Sequence, residues 1–474
     1  MTIALRPYQQ SAIDGVREAF RAGHRAPLLV APTGAGKTVM FGFVAGETAK
    51  RGKRVLIVAH RRELIRQASR KLTETGVDHG IIAPGFTPSR DLVQVGSVQT
   101  LVRRMDRIAA PDLIVIDEAH HAVAGQWADV IAAFPAARIM GVTATPERLD
   151  GKGLGVEAGG CFDALIMGPA VLDLMEAGFL SPTRVFAPAE APDLGGIRTV
   201  AGDYAQAALG EAMQRPKIVG DAIAHYAKYA EGQPAILFSP SVAHADTMAA
   251  AFRAAGYRAA SASGATPAPE RDAAIAGLAT GAVQILCSCD LISEGLDVPA
   301  VGCVILMRPT KSLGLYLQQV GRGLRPAPGK SHLIVLDHAG NSLTHGMIEQ
   351  PRDWSLAGRK KGQEAPAAKQ CPSCYAVHAP ASVCPSCGHS YAEARDASGG
   401  GREEPMQVDG ELAEVDREKI EGIRNAKLAD LLKLATSEKD LREIAKARGF
   451  KPGWVRHVLT AKHRAHERHK GAAA

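Results

Sequence analysis

The octapeptide APTGAGKT at residues 31–38 constrains this chain more than any other feature. It follows the apolar run LLV at 28–30 and precedes a stretch with helical pattern. Gly34 and Gly36 allow a tight loop, with Thr33 and Ala35 beside them, whose successive N–H groups can surround phosphate oxygens. Lys37 supplies a positive charge for the β and γ phosphates, and the Thr38 hydroxyl can ligate Mg²⁺ at a helix N-terminus. A chance glycine-rich turn is the alternative. The strand before it and the helix after it argue for a nucleotide loop.

The surrounding chain supplies the sheet that such a loop needs. Short, continuously apolar runs recur at 55–59 (VLIVA), 113–117 (LIVID) and 139–143 (IMGVT). A second series follows at 235–239, 283–288, 301–307 and 332–337. These runs are too short for helices and do not alternate, so they predict parallel strands covered on both faces. Two series predict two α/β domains, at 1–186 and 203–350, joined by a Pro- and Gly-containing connector at 187–202. A chain of 474 residues, 46% of them apolar, has material for two or three buried cores. No apolar run approaches the ~18–20 residues needed to cross a bilayer. The opening MTIALRPYQQ lacks signal-peptide anatomy. Membrane and secreted classes are thereby disfavoured, and a cytoplasmic protein is expected.

Two further segments carry charge where phosphate chemistry needs it. LIVIDEAH at 113–120 ends a buried strand in two carboxylates. Asp117 can hold Mg²⁺, and Glu118 can orient and deprotonate an attacking water. QQVGRGLR at 318–325 places Arg322 and Arg325 three apart, on one face if the segment is helical. Arginines from a second domain can neutralise a γ-phosphate when a cleft closes.

Together these segments resemble the superfamily 2 helicases of the DEAH/DExH type, over residues 3 to about 340. LRPYQ at 5–9 resembles the adenine-recognition motif, which implies a base contact from Gln9 with Arg6 or Tyr8 in support. AHRRELIRQ at 59–67 and GSVQTL at 96–101 resemble motifs Ia and Ib. GVTATP at 141–146 resembles motif III, implying that Thr143 and Thr145, with His120 and Gln318, couple hydrolysis to domain movement. LFSPSVAHA at 237–245 resembles motif IV. CDLISEGLDVP at 289–299 resembles motif V, with Gly295 and Asp297 at the nucleotide cleft. The resemblance implies two tandem RecA-like domains, ATP hydrolysis, and 3′-to-5′ movement on DNA. The segment Leu336 to Asn341 and the cysteines beyond it fit the RadD-like helicases best. Cys289 stands where motif V often carries threonine, and motif VI opens Gln318-Gln319 rather than His-Arg.

A nucleic-acid partner, single-stranded or branched DNA, is the corresponding expectation. Polar residues at strand ends are the candidate contacts: His60, Arg61, Arg62, Ser97, Gln99, Ser239 and Ser241. The formal net charge is +7. Lys446, Arg448, Lys451, Arg456, Lys462, Arg464, Arg468 and Lys470 face only the acid Glu467 within 446–470. Such a tail suits the phosphates of nucleic acid, a solvated basic end being the alternative. A protein partner for these C-terminal helices also stays open. Trp454 suits a small core better than base stacking.

The remaining organisation is a linker at 351–370, a cysteine module at 371–391, a flexible linker at 392–412 and a basic helical domain at 413–474. Cys371, Cys374, Cys384 and Cys387 form two CxxC pairs, a donor set suited to tetrahedral Zn²⁺ in a zinc-ribbon-like module. A redox CxxC is the rival reading. Ser437 and Asp440 have the spacing of a helix capping box, and Gly449 stands where a helix should stop. Rival functions are a small-molecule P-loop enzyme, a non-enzymatic DNA-binding adaptor and the motor of a restriction system. The motif series in both halves opposes the first, and intact Lys37, Glu118 and Arg322 oppose the second.

Overall fold

Two parallel sheets organise most of the chain in a computed structural model. It describes residues 4–188 except 123–124 and 149–150, then 216–289, 298–350 and 352–358, with isolated positions between 197 and 213 and short stretches between 369 and 459. The first sheet holds β1 (Pro27–Val30), β2 (Val55–Ala59), β3 (His79–Ile82), β4 (Val93–Ser97), β5 (Leu113–Asp117), β6 (Arg138–Thr143) and β7 (Ala164–Met167). Its order is β3-β4-β2-β5-β6-β1-β7, and every pairing is parallel.

The continuous apolar runs have the origin that their pattern suggested. In β5, Leu113 and Val115 enter one core while Ile114 and Ile116 enter another on the opposite face. Strand β2 divides in the same way, Ile57 to one side and Leu56 and Val58 to the other. Successive side chains alternate, so only a strand buried on both faces reads as unbroken hydrophobicity.

The second sheet begins with β8 (Thr183–Pro188). A small antiparallel hairpin, β9 (Thr199–Val200) and β10 (Asp203–Tyr204), comes next. The sheet resumes with β11 (Ala235–Phe238), β12 (Ala259–Ala262), β13 (Ile285–Ser288), β14 (Cys303–Leu306) and β15 (Leu333–Asp337). The order β12-β13-β11-β14-β15 is parallel throughout, and β8 follows beside β15. The first sheet and strands β11 to β15 of the second fall within one compact unit, Met1–Val185 with Pro192–Gln363, whose border β8 crosses after Val185.

Two segments read as connectors are built into this unit. Asp203 accepts hydrogen bonds from the Thr310 hydroxyl and the Lys311 N–H, both at 2.8 Å, and Lys311 Nζ donates to Thr199 at 2.7 Å. Asn341 grips the same loop, donating to Arg308 O at 2.9 Å and accepting from Thr310 N at 3.0 Å. This loop leads into the helix Leu313–Gly321, so the hairpin and the Leu336–Asn341 segment fix where that helix starts. Residues 352–358, expected within a linker, instead lie along the first sheet's domain. Trp354 and Leu356 pack on its core, Gly155 N donates to Leu356 O at 2.9 Å, and Lys152 bridges Gly358. Burying the Trp354 ring costs less than leaving it wet, which explains the docking of an otherwise polar stretch.

The second unit comprises Phe186–Ala191 and Glu364–Ala474. Within it Leu412–Glu414 pairs antiparallel with Phe186–Pro188, and Lys369–Gln370 pairs antiparallel with Val377–His378. The helix Leu428–Leu434 packs with a small cluster of Ala435, Leu441, Ile444 and Val455. Trp454 joins this cluster 4.6 Å from the Phe450 ring, the anchoring role expected of it. Ser437 and Asp440 exchange reciprocal bonds of 2.8 and 3.2 Å, which is the expected capping box. The four paired cysteines, Gly449 and most of the basic tail lie outside the described residues. Among the described residues no helix is long and apolar enough to cross a membrane, and no cluster of His, Cys, Asp or Glu is arranged to hold a metal ion.

Candidate nucleotide-hydrolysis site

The phosphate loop emerges from β1, which lies between β6 and β7, at the carboxyl end of the first sheet. Gly34 and Gly36 have φ of +91° and +83°, a left-handed backbone that side chains resist. A Cβ at Gly36 would also stand 2.5 Å from Gln9 Nε2. The following helix, Lys37–Ala49, starts at the lysine itself, so its free N–H groups face the loop.

The adenine-motif residues meet this loop directly. Tyr8 Oη and Gln9 Nε2 each donate to Ala35 O at 3.1 Å, and Gln9 Oε1 accepts from Arg6 N at 3.0 Å. The Arg6 guanidinium lies 4.5 Å over the Phe179 ring, which is 5.2 Å from Tyr8. Phe179 has no motif signature. It was missed because only tertiary folding brings it beside Arg6.

A cavity of about 420 Å³ opens here, lined by Arg6, Gln9, Thr33, Gly34, Gly36, Lys37, Thr38, Asp117, Glu118 and Phe179 from one side and Arg322 and Arg325 from the other. Lys37 is enclosed, and burial lowers its pKa, against which Glu118 and Asp117 favour the charged form. Gly295 and Asp297 lie outside the described residues, while Pro299, just after them, lines the cavity.

Asp117 and Glu118 are buried at the end of β5. Glu118 has φ of +49°, the one non-glycine residue with positive φ among the described residues. Such a conformation costs ~1–3 kcal/mol, so the surrounding fold must impose it. Asp117 Oδ1 accepts the Glu118 N–H at 3.0 Å, which stabilises the turn. Glu118 Oε2 is buried with no hydrogen bond, and His120 Nδ1 stands 3.5 Å away. A buried carboxylate oxygen without a donor fits a site that takes a polar ligand or water.

The coupling candidates converge on His120. Its Nδ1 lies 3.2 Å from Thr143 Oγ1, and its Nε2 lies 3.4 Å from Gln318 Nε2 on the second sheet's helix. Thr143 Oγ1 donates to Thr145 O at 2.9 Å and accepts from Thr145 N at 3.2 Å. His120, Thr143, Thr145 and Gln318 are therefore one contiguous group. The His121 ring continues it, 4.2 Å from His120 and 4.3 Å from His60.

The two arginines arrive differently from expectation. The helix ends at Gly321, with Arg322 its C-cap and Arg325 beyond it, so helical spacing does not aim them. Close approach does. A Cβ at Gly321 would lie 2.5 Å from Thr33 Cβ, so the helix end sits against the phosphate loop.

The nucleic-acid candidates divide. Gln99 Nε2 donates to His60 O at 3.3 Å, and Ser97 caps the helix Val98–Val102, which gathers all three at the ends of β2 and β4. Arg61 occupies the N-cap position of the helix Arg62–Glu74 without a side-chain capping bond, and Arg62 is exposed. Ser239 is different: it is buried, with its hydroxyl 3.1 Å from His244 Nδ1. Ser241 caps the helix Val242–Ala254.

Two family descriptions match this architecture, the type III restriction enzyme res subunit over residues 2–148 and the helicase conserved C-terminal domain over residues 215–327. The chain belongs to the superfamily 2 helicases. It is an ATP-hydrolysing enzyme of that family. This helicase is 32% identical over 428 residues to a 51.5 kDa protein of a Lactococcus phage, covering 89% of the chain and 88% of the phage protein. It is 30% identical to Irc3 of Saccharomyces cerevisiae, an ATP-dependent helicase by name, over 73% of the chain and 53% of Irc3. The chain thus spans about half the length of the yeast protein. A fragment assigned to the HsdR subunit of a Vibrio vulnificus type I restriction enzyme shares the fold, with TM-score 0.57 and 22% identity over 73% of this chain and 67% of that one. A type ISP restriction-modification enzyme solved bound to DNA, LlaBIII, matches with TM-score 0.51 and 17% identity over 71% of this chain and 28% of that one.

Proposed function

We propose that this helicase couples ATP hydrolysis between its two sheets to movement along a nucleic-acid strand, with DNA as the track. The convergence of Lys37, Asp117, Glu118, Arg322 and Arg325 on one cavity carries the reading. In it, Lys37 and the loop N–H groups hold the β and γ phosphates, while Thr38 and Asp117 hold Mg²⁺. Glu118 orients and deprotonates the attacking water. Arg322 and Arg325 neutralise charge developing on the γ-phosphate, and Gln9 and Arg6 receive the base. Gly295 and Asp297 complete the nucleotide side.

His120, bonded to Thr143 and within reach of Gln318, reports the state of the hydrolytic carboxylate to the second sheet. Arg61, Arg62, Ser97 and Gln99 contact strand phosphates without reading bases. Ser239 joins them only if the His244 contact opens. DNA is favoured because LlaBIII was solved bound to DNA. Comparing ATP turnover with single-stranded DNA, duplex, forked DNA and RNA tests this. Stimulation by DNA is the expected result, and identical turnover with and without every polynucleotide would remove the motor assignment.

Within the family we place the chain nearest the RadD-like helicases, on the Leu336–Asn341 segment and the cysteine pairs, with a role in DNA repair, recombination or replication. We keep the domain borders of the sequence reading, with residues 352–358 assigned to the motor on their packing against the first sheet's core. Cys371, Cys374, Cys384 and Cys387 would hold one structural Zn²⁺. The pairing of Lys369–Gln370 with Val377–His378 supports this, because it brackets the first CxxC with a closed hairpin stem. Purified protein is expected to hold one zinc per chain. Cys371→Ser with Cys374→Ser should release it while basal ATP turnover survives, and metal analysis finding no zinc in native protein would refute the site.

A further inference from the structure

The arginine-bearing turn is held by its backbone, and the holding groups come from outside the motif. Past the end of the helix Leu313–Gly321, residues 323–325 present three successive carbonyls. Lys330 Nζ donates to the Gly323 carbonyl and, at 2.7 Å, to the Arg325 carbonyl. Ser181 N donates to Leu324 O at 2.7 Å, and the Ser181 hydroxyl donates to Arg325 O at 3.3 Å. All three carbonyls are thereby fixed by two residues.

The geometry points to Lys330 and Ser181 as a positioning pair that sets where Arg322 and Arg325 stand relative to the nucleotide. The inference rests on the reading of those arginines as phosphate contacts. An ammonium suits this place, because a helix end exposes carbonyls that favour a cation. Burial pulls the Lys330 pKa down to about 8, in keeping with a lysine turned inward onto the turn rather than outward to water.

Ser181 also ties the turn to the rest of the cavity. It follows Phe179, which lies under Arg6, and Leu180, whose Cδ2 would meet a Cβ at Gly34 at 2.8 Å. Three consecutive residues thus touch the base side, the phosphate loop and the arginine turn. A base seated beside Phe179 has a three-residue path to the arginines. Neither residue touches the reacting atoms. Both act through the backbone that carries the arginines.

Lys330→Met should lower kcat for ATP hydrolysis ~10–100-fold, the scale of a misplaced catalytic group, with KM and the affinity for a non-hydrolysable ATP analogue within about twofold. Lys330→Arg keeps a cation and should restore most of the rate. Ser181→Ala removes one hydroxyl and keeps the N–H, so a loss of only about threefold in kcat is expected. This milder variant decides the matter if Lys330→Met does not fold. Unchanged kcat in Lys330→Met, or in Ser181→Ala where only that variant folds, overturns the inference. So does loss of analogue affinity in parallel with rate, or failure of the arginine variant to rescue. Arg322→Ala measured alongside separates the two levels. If it turns over normally, the reading of the arginine has failed; if it is impaired while Lys330→Met is normal, only the positioning pair has failed.

Discussion

Arg322→Ala is expected to lower the maximal rate of ATP hydrolysis by ~10³-fold or more, with a much smaller change in nucleotide affinity. A thousandfold loss is about 4 kcal/mol of barrier. A neutral hydrogen bond contributes only ~0.5–1.5 kcal/mol net, too little to account for it. A fixed cation in a closed cavity can, because it meets charge that grows as the γ-phosphate leaves. Arg322 is positioned for this: it caps the helix whose end presses on Thr33 of the phosphate loop. Equal losses of rate and affinity would instead make it a ground-state binding residue. Steady-state kinetics with equilibrium binding of an ATP analogue separates the outcomes.

Glu118→Gln should keep nucleotide binding and lose ~10²–10⁴ in turnover, the range for a removed general base. The substitution is nearly isosteric, and Asp117 retains its carboxylate for Mg²⁺. The strained backbone at position 118 and its bond to Asp117 do not depend on the side-chain charge. What disappears is the proton acceptor. Near-normal turnover in this variant would remove Glu118 from the chemistry. Lys37→Ala differs in kind, since it should weaken nucleotide binding as well as rate.

Much of this site was legible because its residues are local. The phosphate loop and the acidic pair each sit in one short segment at the end of a doubly buried strand, and the run LIVID coincides with β5. The strands that left no clear trace are three edge strands and the interior strands β4 and β8, whose apolar runs Gln94 and Arg184 interrupt. β3, β7 and β12 border their sheets and are only partly buried, so His79–Ile82 and Ala259–Ala262 never accumulate a continuous apolar run.

The arginines illustrate a different limit. Their spacing suggested one helical face, but the helix stops at Gly321 and a turn aims them. That turn is fixed by Ser181, far away in sequence, and no local pattern encodes such a bond. Ser239 shows the converse. A serine at a strand end looks like a loop ligand until His244, one turn into the next helix, is seen to cover it. Trp354 was likewise hidden in a polar stretch whose composition resembles a linker, although its ring belongs to the motor's core.

Displacement of streptavidin from biotinylated single-stranded DNA tests the central claim most directly, because it reads movement rather than hydrolysis alone. The account predicts ATP-dependent displacement from one end of the strand and not the other, abolished by Glu118→Gln although that variant still binds nucleotide and DNA. Unimpaired displacement by Glu118→Gln, or ATP turnover by the native protein with no displacement from either end, would contradict it.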